Sequence, residues 1–205
     1  MKKLIASLIR DSRASSAAEF ALVLPLLLIF LLGIIDVGRL MWTWNRAEKA
    51  TQMGVRYAVS TDPVATGIAT YSFATGASSI AQGSSIGTSY FSSMTCSSTS
   101  CDPCSGSACN SLTTPYNSTA FTNIVNRMRA FLPELGATNV EVQYSNSGIG
   151  YSGDPNGPDI APLVTVKIKN MAFRPIALML FNASITLPSF SAALTLEDGQ
   201  GTASN

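Results

Sequence analysis

The fold is decided by residues 17–59, which read AAEFALVLPLLLIFLLGIIDVGRLMWTWNRAEKATQMGVRYAV. Residues 20–35 form an almost unbroken apolar run without a charged side chain. Such a run has roughly the length needed to cross a bilayer core, and a helix satisfies its own backbone hydrogen bonds inside lipid. No helix stop follows before residues 62–63, Asp-Pro. We predict one long helix that crosses a membrane at about residues 17–38 and then continues outside it.

Charged side chains lie at both ends of the apolar run. Glu19 precedes it, while Asp36 and Arg39 follow it at the i, i+3 spacing that allows an ion pair at the membrane edge. A carboxylate at a bilayer edge is costly without a cation. The residues four and three positions before Glu19 are Ser15 and Ser16, which supply none. Glu19 is therefore either solvated among lipid headgroups or paired with a cation from elsewhere.

The segment before the apolar run is basic, with four Lys or Arg residues and one Asp among residues 1–14. The positive-inside rule predicts a cytoplasmic N-terminus and a periplasmic location for the chain after Asp36. Small residues occupy positions 14–18, before the run, whereas a secretory signal has its cleavage site after the run. A peptidase on the cytoplasmic side would remove residues 1–14 and leave the helix on the mature protein.

The order of these features resembles the TadE-like family, minor pseudopilins of the tight-adherence (Flp or Tad) pilus system. The resemblance rests on AAEFALVLPLLL at residues 17–28, GIIDVGR at 33–39 and GVRYA at 54–58. It implies cleavage by a prepilin peptidase between Ala14 and Ser15. The new amine of Ser15 would be mostly charged. It would be a partner for Glu19, next to Phe20, either of its own chain or of a neighbour, and the resemblance implies the neighbouring subunit.

The same resemblance implies partners. They are other pilins and pseudopilins of the same pilus, among them a related minor pseudopilin, the prepilin peptidase, the inner-membrane assembly platform and the lipid bilayer. The implied location is the inner membrane, with a single pass, and the extracellular pilus if the subunit enters the fibre. The sequence leaves open whether it enters the fibre or stays at its base.

Four cysteines lie in a region rich in Ser, Thr, Gly and Ala: Cys96, Cys101, Cys104 and Cys109. Their spacing is compatible with two disulfides, with a cysteine-ligated zinc ion, in part with iron–sulfur ligation, or with free thiols. A location outside the cytoplasm favours disulfides, for which three connectivities exist. We predict disulfides that pin this loop, and neither a metal nor a cofactor.

The rest of the chain predicts short helices and strands. Residues 119–132 carry apolar side chains at helical spacing and follow a cap formed by Asn117, Ser118 and Thr119, and residues 176–181 predict a short apolar helix or turn. Strands are predicted from alternating or β-prone sequence at residues 139–144, at 163–169, and at 184–187 with 190–197 as one strand bent at Pro188.

A loop between two predicted strands contains Asp154, Asn156 and Asp159. Their oxygen atoms suit calcium, but the ligands are few and no bidentate Glu follows at the EF-hand distance. We therefore favour a plain turn.

The predicted fold is α+β and pilin-like: the periplasmic half of the long helix and a second helix pack on a small antiparallel sheet of about three strands. The predicted divisions are a basic leader at 1–14, the long helix at 15–62, a cysteine-containing region at 63–116, an α+β periplasmic domain at 117–197 and a flexible tail at 198–205.

The sequence argues against an enzyme and against nucleic-acid binding. It contains no histidine, and we find no nucleophile with a base, no phosphate-binding Gly loop and no basic patch outside the leader. The predicted function is a minor pseudopilin that acts in the initiation or assembly of a Tad pilus, and hence in adhesion and biofilm formation. The alternative is a membrane-anchored periplasmic adhesive or binding module that is not part of a pilus.

Overall fold

The computed structural model describes residues 12–75, 79–106, 112, 115–155, 157–179, 183–196 and 199–201 of the 205-residue chain. Over these residues the architecture is α+β, as predicted. The chain divides into two compact units. One consists of Met1–Trp42 with Phe173–Ile185, and the other of Thr43–Ala172 with Thr186–Asn205.

Three α-helices are found in the described part of the chain. Helix α1 spans Ser12–Val59 and continues through Pro25, α2 spans Ser118–Arg129, and α3 spans Ile176–Met179. Short 3-10 turns lie at Thr66–Ala69 and Ala137–Asn139. The predicted cap of the second helix is confirmed, because the side chain of Asn117 accepts a hydrogen bond from the N–H of Ala120.

Two sheets are described, of which the larger is antiparallel. The strands are β1 (Ser93–Cys96), β2 (Val140–Ser145), β3 (Leu163–Ile168), β4 (Ala172–Phe173), β5 (Ile185–Thr186) and β6 (Phe190–Thr195). The main sheet has the order β1-β2-β3-β6, and β4 pairs with β5 separately. In the main sheet Val142 pairs with both Cys96 and Val166, so the cysteine-containing strand is an integral part of the sheet.

The sheet differs from the prediction in two respects. Four described strands form the main sheet rather than three, because β1 lies in the Ser/Thr-rich region that the sequence assigns to a loop. Residues 184–197 are also not one bent strand. Pro188 lies between β5 and β6, which belong to different sheets, and a proline cannot donate to a sheet ladder.

The core of the larger unit includes one buried polar contact that fixes the chain just after α1. Tyr144 of β2 is fully buried, and its hydroxyl accepts a hydrogen bond from the N–H of Val64 at 2.9 Å. Burial raises the pKa of the Tyr144 phenol, so the hydroxyl stays protonated. The segment that follows α1 is thereby attached to the centre of the sheet.

The C-terminal half of α1 packs closely on the rest of this unit, as predicted. Ala47, Ala50 and Ala58 are buried, and a Cβ atom added to Gly54 would lie 2.7 Å from Cγ of Met128 in α2 and 3.3 Å from Cγ1 of Val166 in β3. The backbone of α1 at Gly54 therefore lies close to both the second helix and the sheet, and a larger side chain there would force Met128 to shift.

Replacing Gly54 by alanine should destabilise the protein by about 1–3 kcal/mol, because the new methyl group overpacks the core against Met128. In an open helix the same change stabilises, by about 1 kcal/mol at most. Gly38 of α1 provides the control, since an added Cβ there meets nothing within 4 Å. Thermal unfolding in detergent measures both variants. A Gly54→Ala protein as stable as Gly38→Ala would contradict the close packing.

Candidate functional site

The first half of α1 carries an apolar surface that the rest of the structure leaves uncovered. Only 6% of its most apolar stretch of 18 residues is buried against the described part of the chain. The most exposed large apolar side chains of this half include Leu22, Leu26, Ile29 and Phe30. A soluble protein rarely leaves so large an apolar surface in water. By its length and composition, α1 could span a membrane.

Glu19 lies exposed at the start of this apolar surface, next to the exposed side chain of Phe20. Within the part of the chain that the structure describes, Glu19 has no hydrogen-bond or ion-pair partner. Ala14 and Ser15, the predicted cleavage site, lie in the first turns of α1, and residues 1–11 of the predicted leader lie outside the described residues. Glu19 is therefore available to a cation from another molecule.

Asp36 lies at the other end of the apolar run and is 7% exposed. Its Oδ1 atom is 3.1 Å from Nη1 of Arg39, so the two side chains form the i, i+3 ion pair. The same carboxylate accepts hydrogen bonds from the backbone N–H groups of Ile176 at 2.7 Å and Ala177 at 2.8 Å. A carboxylate at this position satisfies the free N–H groups at the start of α3.

Arg39 makes two further contacts with the residues just before α3. Its Nη1 atom donates to the carbonyl oxygen of Arg174 at 3.4 Å, and its guanidinium carbon lies 5.4 Å from the ring centroid of Phe173. A cation at this distance from an aromatic ring is attracted to the ring face. We call this set of contacts, from Asp36 and Arg39 to residues 173–177, the Asp36 clasp.

The Asp36 clasp goes beyond what the sequence predicted. The spacing of Asp36 and Arg39 predicted their ion pair but not the capping of α3, whose residues lie 140 and 141 positions away. One signal was available. Pro175, which directly precedes α3, has no side-chain acceptor, so the first N–H groups of that helix need an acceptor from elsewhere.

The cysteine region contains a short disulfide loop. Cys96, the last residue of β1, is bonded to Cys101. Cys104 is also disulfide-bonded, and Cys109 lies outside the described residues. Among the residues that were placed, no group of His, Cys, Asp or Glu is arranged to hold a metal ion. The Cys96–Cys101 bond closes the turn that leaves the edge strand of the main sheet.

The loop considered for calcium is organised by one buried carboxylate. Asp159 is 4% exposed, and its Oδ2 atom accepts hydrogen bonds from the N–H groups of Phe73 at 2.6 Å and Gly153 at 3.0 Å. Its Oδ1 atom accepts from the N–H of Asp154 at 3.1 Å. Asn156 lies outside the described residues. Through Oδ2 the Asp159 carboxylate joins its own loop to the segment at Phe73, and through Oδ1 it stabilises the loop itself, which is a structural role.

The comparison with protein families confirms the resemblance inferred from sequence. The family described as TadE-like protein matches residues 14–56, a segment that includes Glu19, Asp36 and Arg39. No curated protein and no solved structure gives a match. A match to this family indicates a protein associated with the Tad pilus, and the family is a structural rather than an enzymatic kind.

Proposed function

We propose that the chain, whose residues 14–56 match the TadE-like family, is a minor pseudopilin that acts in the initiation or assembly of a Tad pilus. One observation carries the proposal: an exposed carboxylate, Glu19, stands without a partner in the described structure at the start of an uncovered apolar helix. A charge placed there is costly in a membrane unless another molecule supplies a cation.

In this proposal a prepilin peptidase cuts between Ala14 and Ser15. The cut frees an α-amino group, which has a pKa near 8 and is mostly protonated at neutral pH. Glu19 of one subunit accepts this ammonium group from a neighbour, which sets the position of one helix along the other. The uncovered apolar side chains of α1 then pack against helices of other pilins.

The proposed location follows from the same features. The helix anchors the protein in the inner membrane with its basic N-terminus in the cytoplasm, and the unit Thr43–Ala172 with Thr186–Asn205 lies in the periplasm. The disulfide Cys96–Cys101 supports an oxidising compartment. Partners are other pilins or pseudopilins of the same pilus and the inner-membrane assembly platform. The proposal assigns no catalytic activity and no cofactor.

Processing is tested by intact-mass measurement of the protein extracted from membranes of cells with an active prepilin peptidase. We expect a chain that begins at Ser15 and retains α1. Catalytically inactive peptidase should leave residues 1–14 in place. A product cut after the apolar run, and so released from the membrane, would contradict the proposal.

Replacing Glu19 by alanine tests the pairing itself. We expect piliation and co-purification with other pilins to fall by about tenfold or more, because the neighbour's amine loses its partner in a desolvated site. The control is Glu48→Ala in the same helix, where Glu48 is exposed and accepts a hydrogen bond from Trp44. Normal piliation with normal protein abundance in the Glu19→Ala strain would refute the role and favour the anchored binding module.

A further inference from the structure

The Phe173–Ile185 segment exposes apolar side chains beside the apolar half of α1. Ile176, Leu178, Met179 and Ile185 are exposed, Met179 most of all at 76%. This segment belongs to the same compact unit as Met1–Trp42. The sequence has no charged residue from position 175 to position 196. An uncharged apolar surface in this place needs an apolar environment to cover it.

The Asp36 clasp fixes where along α1 this surface lies. Asp36 and Arg39 bind the backbone of residues 174, 176 and 177, so the start of α3 lies at the end of the apolar run. The carboxylate of Asp36 is itself covered and paired, and therefore presents no bare charge to lipid. Arg39 and Arg174 are exposed at the same level, and arginines at a bilayer edge can reach the phosphate headgroups.

We propose that residues 173–179 and 183–185 form a second membrane-contacting element, which lies in the bilayer interface and buries Ile176, Leu178, Met179 and Ile185 at the boundary of headgroups and acyl chains. The inference rests on the membrane anchoring in the proposed function. Lipid is the occupant that the observations favour, because the exposed side chains belong to the same compact unit as the uncovered apolar half of α1, which faces lipid in the proposed function, and because Arg39 and Arg174 are exposed where that unit is held together. The clasp then holds the protein at a fixed depth.

Spin labels on single introduced cysteines test this in the full chain. Spin labels at Met179→Cys and Ile185→Cys measure the surroundings of the segment. Both side chains are exposed, so their loss removes little packing. Ile149→Cys, an exposed aliphatic position in the other unit, is the matched control, and Leu26→Cys reports α1. The protein is reconstituted, under non-reducing conditions, in vesicles of phosphatidylcholine and phosphatidylglycerol. For each spin label, the frequency of collisions with oxygen is compared with the frequency of collisions with a water-soluble nickel chelate.

The proposal requires an oxygen-to-nickel collision ratio at both Met179 and Ile185 that exceeds the ratio at Ile149 by about threefold or more, because oxygen partitions into apolar surroundings. A ratio equal to that of Ile149 at either site overturns it, and so does shielding from both reagents, which would indicate a protein cover. If the ratio at Leu26 nevertheless exceeds the ratio at Ile149, the membrane anchor stands and only the proposed position of the segment is wrong. An oxygen-to-nickel collision ratio at Leu26 that is equal to the ratio at Ile149 would refute the membrane anchor as well.

Discussion

Replacing Asp36 by alanine should release the Phe173–Ile185 segment from α1. The backbone N–H groups of Ile176 and Ala177 lose their acceptor, and Arg39 loses its ion-pair partner. Hydrogen bonds to a charged acceptor are strong, so the two amides should exchange with solvent about tenfold to a hundredfold faster. Hydrogen–deuterium exchange of the detergent-solubilised protein, followed by mass spectrometry of peptides from residues 172–186, measures the effect.

Two further variants separate the clasp from a general loss of stability. Asp62→Ala removes a half-exposed carboxylate of the other unit that also accepts a backbone hydrogen bond, from the N–H of Gly201, and should leave exchange of the segment unchanged. Asp36→Asn keeps one carbonyl oxygen as an acceptor but no charge, and should give an intermediate rate. Equal protection of the segment in the wild-type and Asp36→Ala proteins would show that the clasp does not hold it.

The clasp matters for the proposed function because it acts at one end of α1 while Glu19 acts at the other. Between them lies the uncovered apolar surface, residues 20–35, which is about 24 Å long at the usual helical rise. In the proposal Glu19 sets the register between neighbouring subunits, and the clasp sets the depth of the chain in the membrane. Asp36→Ala should therefore leave processing at Ala14–Ser15 intact, whereas membrane placement of the Phe173–Ile185 segment should be lost.

The long helix and the second helix were predictable because local sequence determines them. An uninterrupted apolar run followed by helix-compatible residues predicts α1, which ends at Val59, shortly before Pro63. In α2, Phe121, Ile124, Val125 and Met128 recur at helical spacing, and all four are buried. Strands β2 and β3 were predictable in the same way, since their alternating side chains are alternately buried and half-exposed.

The missed features depend on partners that are distant in sequence. Strand β1 has only four residues, and its alternation of Ser93, Met94, Thr95 and Cys96 is too short to stand out from the surrounding Ser and Thr. It becomes a strand because it pairs with β2, more than forty residues later. Likewise β5 and β6 pair with different neighbours, β4 and β3. Short-range patterns carry no information about those choices.

The site shows the same division between local and distant determinants. The pair of Asp36 and Arg39 is one helical turn apart and was predicted from spacing. The capping of α3 by Asp36 required the fold, because the two partners meet only when the chain returns to α1. The position of Glu19 at the start of the apolar run was visible in the sequence, and the structure adds that the side chain is exposed.

Replacing Asp159 by alanine should cost about 2–4 kcal/mol of unfolding free energy, because it leaves three backbone N–H groups without their acceptor, and that of Phe73 is buried. Asp102→Ala is the control, since Asp102 is exposed and should change stability by less than about 0.5 kcal/mol. Urea unfolding of the detergent-solubilised variants measures both changes.

The same experiment distinguishes a structural carboxylate from a calcium ligand. With both oxygens of Asp159 already bonded to backbone N–H groups, a bound cation would have to displace those hydrogen bonds. We therefore expect millimolar calcium to leave the unfolding midpoint of the wild-type protein unchanged, and Asp159→Asn to lose stability as well, because its amide group would place a donor against N–H donors. A midpoint that rises with calcium in the wild type but not in Asp159→Asn would instead assign the loop a metal, since only a ligand that binds the folded state shifts the equilibrium in this way.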